Sequence, residues 1–333
     1  MNLPPILSEA DIIQGYLAPL AAHYRGAFGL SDDAAAIAPP PGMDLVATMD
    51  AVAAGVHFFP DDPATDIAWK ALAVNVSDLV AKGAAPHAYL MSLAFPEPPA
   101  REWLAGFAAG LASAQTQLGI TLIGGDTDRR PGPLTITITA LGLVPAGAMV
   151  QRGTARAGDH LFVSGTLGDS ALGLVLRTGE PQTQSWPLAS HERLMLIRRY
   201  LRPEPRLGLI PILRQHARAA MDISDGLIKD LGRMAALNSL GAEVHASQLP
   251  RSIPAGKVVA ADAGMISALA AGGNDYEVLA AIPPDAVAAF RARAKATNEF
   301  VTQIGRMTSR PGVQVLDADG APITFSSPGY DHF

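Results

Sequence analysis

The sequence predicts a mixed α/β protein of two domains, residues 1–148 and 149–333. Three observations carry this. The chain has 333 residues, more than one core usually sustains, so two units of about 150 residues are expected. Its apolar runs alternate between short strand-like stretches and long helical patterns. A loop-rich stretch, PAGAMVQRGTARAG at 145–158, interrupts that alternation, after which strand, turn and helix begin again.

The elements follow in order. Ser8 with Asp11 three residues on reads as a capping box that opens a helix over 9–22. Two short apolar runs, Ala34–Ala38 and Leu45–Met49, flank the PPPG at 39–42 and read as strand, turn, strand. Residues 64–83 form the clearest helix, with Trp69, Leu72, Ala73, Val76, Leu79 and Val80 on one face and Gly83 closing it. Strands are expected at 87–95, 121–125 and 134–144, with a helix over 99–118. Beyond the break, 161–176 reads as strand, turn and helix, 191–200 as a helix, and 219–237 as strand, turn and helix. Strand-like pieces follow within 241–250 and 268–283.

Composition excludes several functions. The net charge is −6, and no Lys/Arg run exceeds two residues, so neither nucleic acid nor an anionic membrane is an expected partner. No cysteine occurs, which removes thiol chemistry and fits a reducing, cytoplasmic setting. The N-terminus lacks a basic n-region, and no uncharged apolar run reaches about 18 residues. The phosphate loop G-x-x-x-x-G-K-[ST], G-x-G-x-x-G, H-E-x-x-H and G-x-S-x-G are all missing.

Acids and hydroxyls at the ends of elements remain: Asp32 and Asp33, Thr48 with Asp50, Asp78, Asp126 with Thr127, and Asp222, Ser224 and Asp225. Hard cations such as Mg²⁺ join one or two carboxylates to substrate phosphates. Each acid also has a plainer reading. Asp32–Asp33 would cap a turn, Asp78 would sit on an exposed strip with Asn75 and Lys82, and Asp126 would cap a helix. Capping explains one of Asp222 and Asp225 but not both flanking a serine. Asp61, Asp62 and Asp66, among prolines, read as solvated turn and cap residues.

In order, the segments SDDAA (31–35), TMDAVAAGVHF (48–58), WKALAVNVSDLVAKGA (69–84), LIGGDT (122–127), RGTARAGDHLFVSGTLGDSALGL (152–174), LRPEPR (201–206), DISDGLIKDLG (222–232), GGNDYEVL (272–279) and GYDHF (329–333) resemble the thiamine-monophosphate kinase family. That family lies in the aminoimidazole ribonucleotide synthetase superfamily. The resemblance implies an N-terminal domain whose strands pair across a homodimer and a C-terminal α/β domain. It implies transfer of the γ-phosphoryl of ATP to thiamine monophosphate with several Mg²⁺ ions, and K⁺ as a further candidate ion. Position by position, it implies metal binding at Asp33, Thr48, Met49, Asp50, Asp78, Asp126, Asp222 and Asp225. ATP contacts are implied at Gly124, Gly125, Asp126, Arg152 and Ser224, and substrate contacts at His57, Asn274, Ser327 and Tyr330.

Four positions depart from the pattern. Ser31 replaces a usual Gly, Met49 a usual Thr, Asn274 a usual acid, and Ser326–Ser327 lies where an aromatic is common. A sibling ligase of the superfamily and an inactive thiamine-phosphate-binding homologue are the competing readings. A hydrogenase maturation factor of this fold would need the cysteine that this chain lacks.

Overall fold

The computed structural model describes residues 7–325 and 327–331. The chain divides into two compact units. One holds the described residues up to Leu79 together with Ala84–Gly147, and the other holds Val80–Gly83 together with Ala148 onward.

The first unit opens on helical turns: α1 (Glu9–Ile12), a π-turn (Ile13–Leu17) and α2 (Ala18–Ala21). Ser8 caps α1 and Asp11 returns the bond to the Ser8 N–H, the capping box expected from the sequence. Four strands follow: β1 (Met43–Ala53), β2 (Ala85–Phe95), β3 (Thr121–Arg129) and β4 (Thr135–Pro145). They lie in the order β1-β4-β2-β3, antiparallel except for β2 beside β3. The helices α3 (Ala64–Ala81) and α4 (Arg101–Leu118) complete the unit.

Strand alternation sorts side chains between the two faces. Tyr89 of β2 turns to α4, where its hydroxyl donates to Gln115 at 3.1 Å. Its neighbour Ala88 turns to Ala21, Ala27, Ile123 and Leu141. In β1, Val46 and Val52 are buried, while Leu45 and Met49, on the other face, are exposed. Helix α3 is apolar nearly all round: besides the expected face, Ile67, Ala68, Ala71 and Val74 are buried too.

Three expectations fail here. Ala34–Ala38 forms no strand, because only Ala36 finds a main-chain partner there (Gly26 O, 2.8 Å) and three prolines follow without N–H groups. The strand 121–125 runs on through Asp126 to Arg129, so Asp126 caps no helix. Asp62 is buried, not solvated, and accepts a bond from the Phe59 N–H at 2.8 Å.

The second unit carries a seven-stranded sheet of β5 (His160–Ser164), β6 (Ala219–Ile223), β7 (Gly241–His245), β8 (Glu277–Ile282), β9 (Val301–Thr308), β10 (Gly312–Leu316) and β11 (Pro322–Ile323). Their order is β11-β10-β7-β9-β5-β8-β6. Its helices are α5 (Asp169–Thr178), α6 (Ser190–Leu201), α7 (Ile210–His216), α8 (Leu227–Leu237), α9 (Ile253–Ala261), α10 (Ile266–Ala271) and α11 (Val287–Ala296). Leu227, Leu231 and Met234 of α8 pack with Leu161, Met221, Leu279 and Ile304 in its core. Of the stretch 268–283, expected to hold strand-like pieces, Glu277–Ile282 forms β8 and residues 268–271 belong to helix α10. Among the described residues, no helix is long and apolar enough to cross a membrane.

Candidate functional site

In the first unit a cavity of about 600 Å³ opens beside β3. Ile13, Leu17, Leu30, Ile37, Leu90 and Leu122 form an apolar wall, and Asp32, Asp33, Gly124, Gly125, Asp126 and Thr127 a polar one. The two glycines are there for space. A Cβ on Gly125 would lie 1.8 Å from the Met91 carbonyl oxygen, and its φ of +153° disfavours other residues. Asp33 and Asp126, far apart in sequence, thus line the same cavity as the Gly124–Gly125 main chain.

A second group lies where β1 faces α3. The Thr48 hydroxyl donates to Asp78 Oδ2 at 2.6 Å, and the Asp50 N–H donates to Asn75 Oδ1 at 2.9 Å. Asn75 is buried and Asp78 half-buried, so the exposed-strip reading of these residues fails. Met49 points to the opposite face and is 64% exposed. A thioether is a poor ligand for a hard cation, so only its main-chain oxygen suits that role. Just beyond β1, the His57 N–H donates to Ala53 O at 2.9 Å, and His57 Nδ1 accepts from the Ala53 N–H at 3.1 Å. The neutral ring therefore carries its proton on Nε2.

In the second unit the DISDG turn gathers the expected residues. Asp222, next to last in β6, is buried. The helix that follows begins at Gly226 with no side-chain cap, so neither Asp222 nor Asp225 caps it. Asp230 ties the turn instead: its Oδ2 accepts from the N–H groups of Ser224 and Asp225, both at 3.0 Å. Burial pushes the Asp230 carboxyl up to about 6, against the pull of those two donors. The carboxylate of Asp225 pairs with Arg233 at 2.8 Å and Lys229 at 3.5 Å.

Two more segments fasten onto this turn. The Asn274 N–H donates to Ser224 O and the Tyr276 N–H to Ile223 O, each at 2.8 Å. Both residues are left-handed, with φ of +68° and +52°. Asn adopts that region more readily than an acid such as Glu, which gives the departure at 274 a backbone reason. The Tyr330 N–H donates to Asp225 O at 2.9 Å, and Lys229 Nζ donates to Tyr330 O. Ser327 is exposed, and among the described residues its hydroxyl donates to Gly329 O and accepts from the Gly329 N–H. Arg152 sits on an exposed 3₁₀ turn, and Ser326, His332 and Phe333 lie outside the described residues.

Sequence reasoning missed the buried network behind the turn. Glu277, fully buried, accepts from Arg199 (2.8 Å), from both Nε (2.8 Å) and Nη2 of Arg206, and from the Ser164 hydroxyl (2.5 Å). Burial alone would raise its pKa, but the guanidiniums outweigh that and hold it below the usual value. Asp275 beside it accepts from the Gly168 N–H at 2.7 Å, and burial raises its carboxyl well above the usual range. The signal was present as LRPEPR and DYE, whose charges in a charge-poor chain read as motif without a stated role.

Among the described residues, no three His, Asp or Glu side chains stand together as a ready metal cage. The donors fit Mg²⁺ nonetheless. It takes one or two carboxylates and completes its shell with phosphate oxygens and water, and the pairs Asp33/Asp126 and Asp78/Thr48 offer only hard oxygens.

Comparison with known proteins identifies the family. Residues 31–144 match the N-terminal domain of AIR synthase related proteins, and residues 156–318 match their C-terminal domain. The thiamine-monophosphate kinase of Caulobacter vibrioides is 37% identical over 332 residues, covering 99% of this chain and 91% of that protein. The crystal structure of the thiamine-monophosphate kinase from Stenotrophomonas maltophilia superposes with a TM-score of 0.81 at 37% identity, over 92% of this chain and 95% of that one. A structure of AaThiL complexed with AMPPCP and TMP gives 0.76 at 31% identity, over 92% and 97%. Two domain models in register and near-full-length kinase relatives lead to one conclusion: the chain belongs to the thiamine-monophosphate kinase family of AIR synthase related proteins.

Proposed function

We infer that this chain transfers the γ-phosphoryl group of ATP to thiamine monophosphate, giving thiamine diphosphate and ADP. The observation that carries the reading is the cavity beside β3, where an apolar wall suited to a base adjoins the Gly124–Gly125 main chain and the acids Asp33 and Asp126, in a chain related to these kinases over almost its whole length.

The acceptor is a phosphate monoester with a second pKa near about 6, so its attacking oxygen is already largely ionised at neutral pH. No general base is required. The obstacle is repulsion between two polyanions, and positioning plus charge neutralisation meet it. Mg²⁺ ions, when bound, supply that neutralisation; Asp33, Asp50, Asp78 and Asp126, with Thr48 and the Met49 carbonyl, would offer oxygens to such ions in the first unit, and Asp222 and Asp225 in the second. Gly124 and Gly125 leave main chain open to the nucleotide, Arg152 and Ser224 contact its phosphates, and His57 donates from Nε2 to the acceptor phosphate. Asn274, Ser327 and Tyr330 hold the thiamine end. Transfer is direct and in line, without a phosphoenzyme.

The reading includes a homodimer and a cytoplasmic location, where ATP is at hand. What supports the dimer is β1, an edge strand of eleven residues with Leu45 and Met49 exposed beside it. Long uncovered edges invite pairing.

The test mixes the protein with ATP, Mg²⁺ and thiamine monophosphate and follows thiamine diphosphate and ADP. Equal amounts of both, without free phosphate, are expected. Free phosphate in step with ADP would instead indicate the ligase chemistry of the sibling enzymes. Asp222→Asn should lose most of the activity, and wild-type turnover by that variant would overturn the site assignment.

A further inference from the structure

Arg233 of α8 bridges two carboxylates around the DISDG turn. Its Nη1 donates to Asp230 Oδ1 at 2.9 Å, and its Nη2 meets Asp225 Oδ2 at 2.8 Å. The Asp230 side chain is wholly shielded from solvent, whereas that of Arg233 is 44% exposed. Asp230 therefore acts on Asp225 twice. Its Oδ2 accepts from the Asp225 N–H at 3.0 Å and sets the main chain. Its Oδ1 fixes the guanidinium that grips the Asp225 side chain.

Two carboxylates that share one guanidinium repel each other, and the cation between them removes that repulsion. Its planar fork also sets an angle, which an ammonium on a flexible stem does not. Lys229 approaches Asp225 too, at 3.5 Å, but on the same Oδ2, and it is shared with Tyr330 O and Asp331. Both cations thus take Oδ2, and among the described residues no side chain takes Asp225 Oδ1. The Asp225 carbonyl is held as well, by the Tyr330 N–H at 2.9 Å. Everything about Asp225 is fixed except one carboxylate oxygen.

We propose that Arg233 is a positioning residue for a divalent cation at Asp225: anchored by Asp230, it holds Oδ2 and presents Oδ1 to the ion. This rests on the reading that Asp225 offers an oxygen to Mg²⁺. Groups that orient a metal's ligands change its affinity by about 10- to 100-fold. Loss of a positive charge by itself would favour a cation, so weaker binding without Arg233 reports aim and not charge.

The experiment titrates Mn²⁺, as a probe of the Mg²⁺ site, into the full chain and follows the paramagnetic resonance of the free ion. Arg233→Gln should weaken, by about 10-fold, the binding that is lost in Asp225→Asn. The double variant should bind as Asp225→Asn does, because Arg233 has nothing left to aim. Unchanged or tighter binding by Arg233→Gln would overturn the proposal, the latter making the guanidinium a competitor of the ion. Equal weakening with and without Asp225 would overturn it in favour of a structural arginine. Mn²⁺ affinity unchanged in Asp225→Asn would sink the underlying reading instead, and that arm tells the two failures apart. Arg233→Lys keeps the charge without the fork and should weaken binding about 3-fold. Should Arg233→Gln not fold, wild-type affinity in the lysine variant would count against Arg233.

Discussion

The Thr48 hydroxyl and Asp78 Oδ2, thirty residues apart, meet at 2.6 Å and join strand β1 to helix α3. Asp78→Asn keeps an oxygen that can accept this bond but removes the charge. The variant should melt within a few degrees of wild type while kcat/KM falls more than about 10-fold, the lower end of what is lost when a metal's supporting groups are changed. Thermal melts and steady-state kinetics on the same sample check this, and unchanged kcat/KM would remove Asp78 from the site.

Gly125→Ala tests the glycine main chain. The new methyl would stand 1.8 Å from Met91 O, a main-chain atom of the paired strand β2 that cannot swing aside. Overpacking of this kind costs about 1–3 kcal/mol. A lower urea midpoint and a weaker affinity for ATP are expected together.

Glu277→Gln removes the buried charge partner of Arg199 and Arg206 and leaves them only the more exposed Glu204. Breaking such a pair from one side costs about 3–5 kcal/mol. The pH dependence has a definite sign. The folded pKa of Glu277 lies below its ordinary 4.5, so the unfolded chain binds the proton more readily. The stabilisation is complete above pH 4.5 and is lost as pH falls through the lower, folded value. The gap in stability between wild type and Glu277→Gln should therefore be widest at neutral pH and narrow below pH 4.5, as denaturant titrations across that range would reveal.

Met49→Lys places a charge beside the uncovered edge of β1, where the methionine is 64% exposed. Charged edge residues block strand-to-strand association. Sedimentation should report a dimer for the wild type and a shift toward monomer for the variant. A monomeric wild type would set aside pairing through β1.

Much of this architecture is legible in the chain alone. The capping box at Ser8, the helix of α3 and the strand–turn–helix at 219–237 follow from local spacing, because caps and periodic faces involve residues a few positions apart. The acids also stood out, since a charge-poor sequence seldom keeps them at element ends without a reason.

The tertiary structure decided what those acids touch. A carboxylate next to a helix start reads as a cap, yet neither Asp222 nor Asp225 caps this one, and Asp230, in the helix's first turn, reaches back to the N–H groups of Ser224 and Asp225. Asp126 reads as the end of a strand, yet β3 continues because β2 supplies a partner strand as far as Arg129. Lys70, a charged residue in an apolar helix, is buried against the carbonyl of His57. The sequence by itself determined the fold class, the family and the kinds of residue that the chemistry needs. Which of them meet, and which are desolvated, was decided by contacts between distant segments, and no local periodicity encodes those.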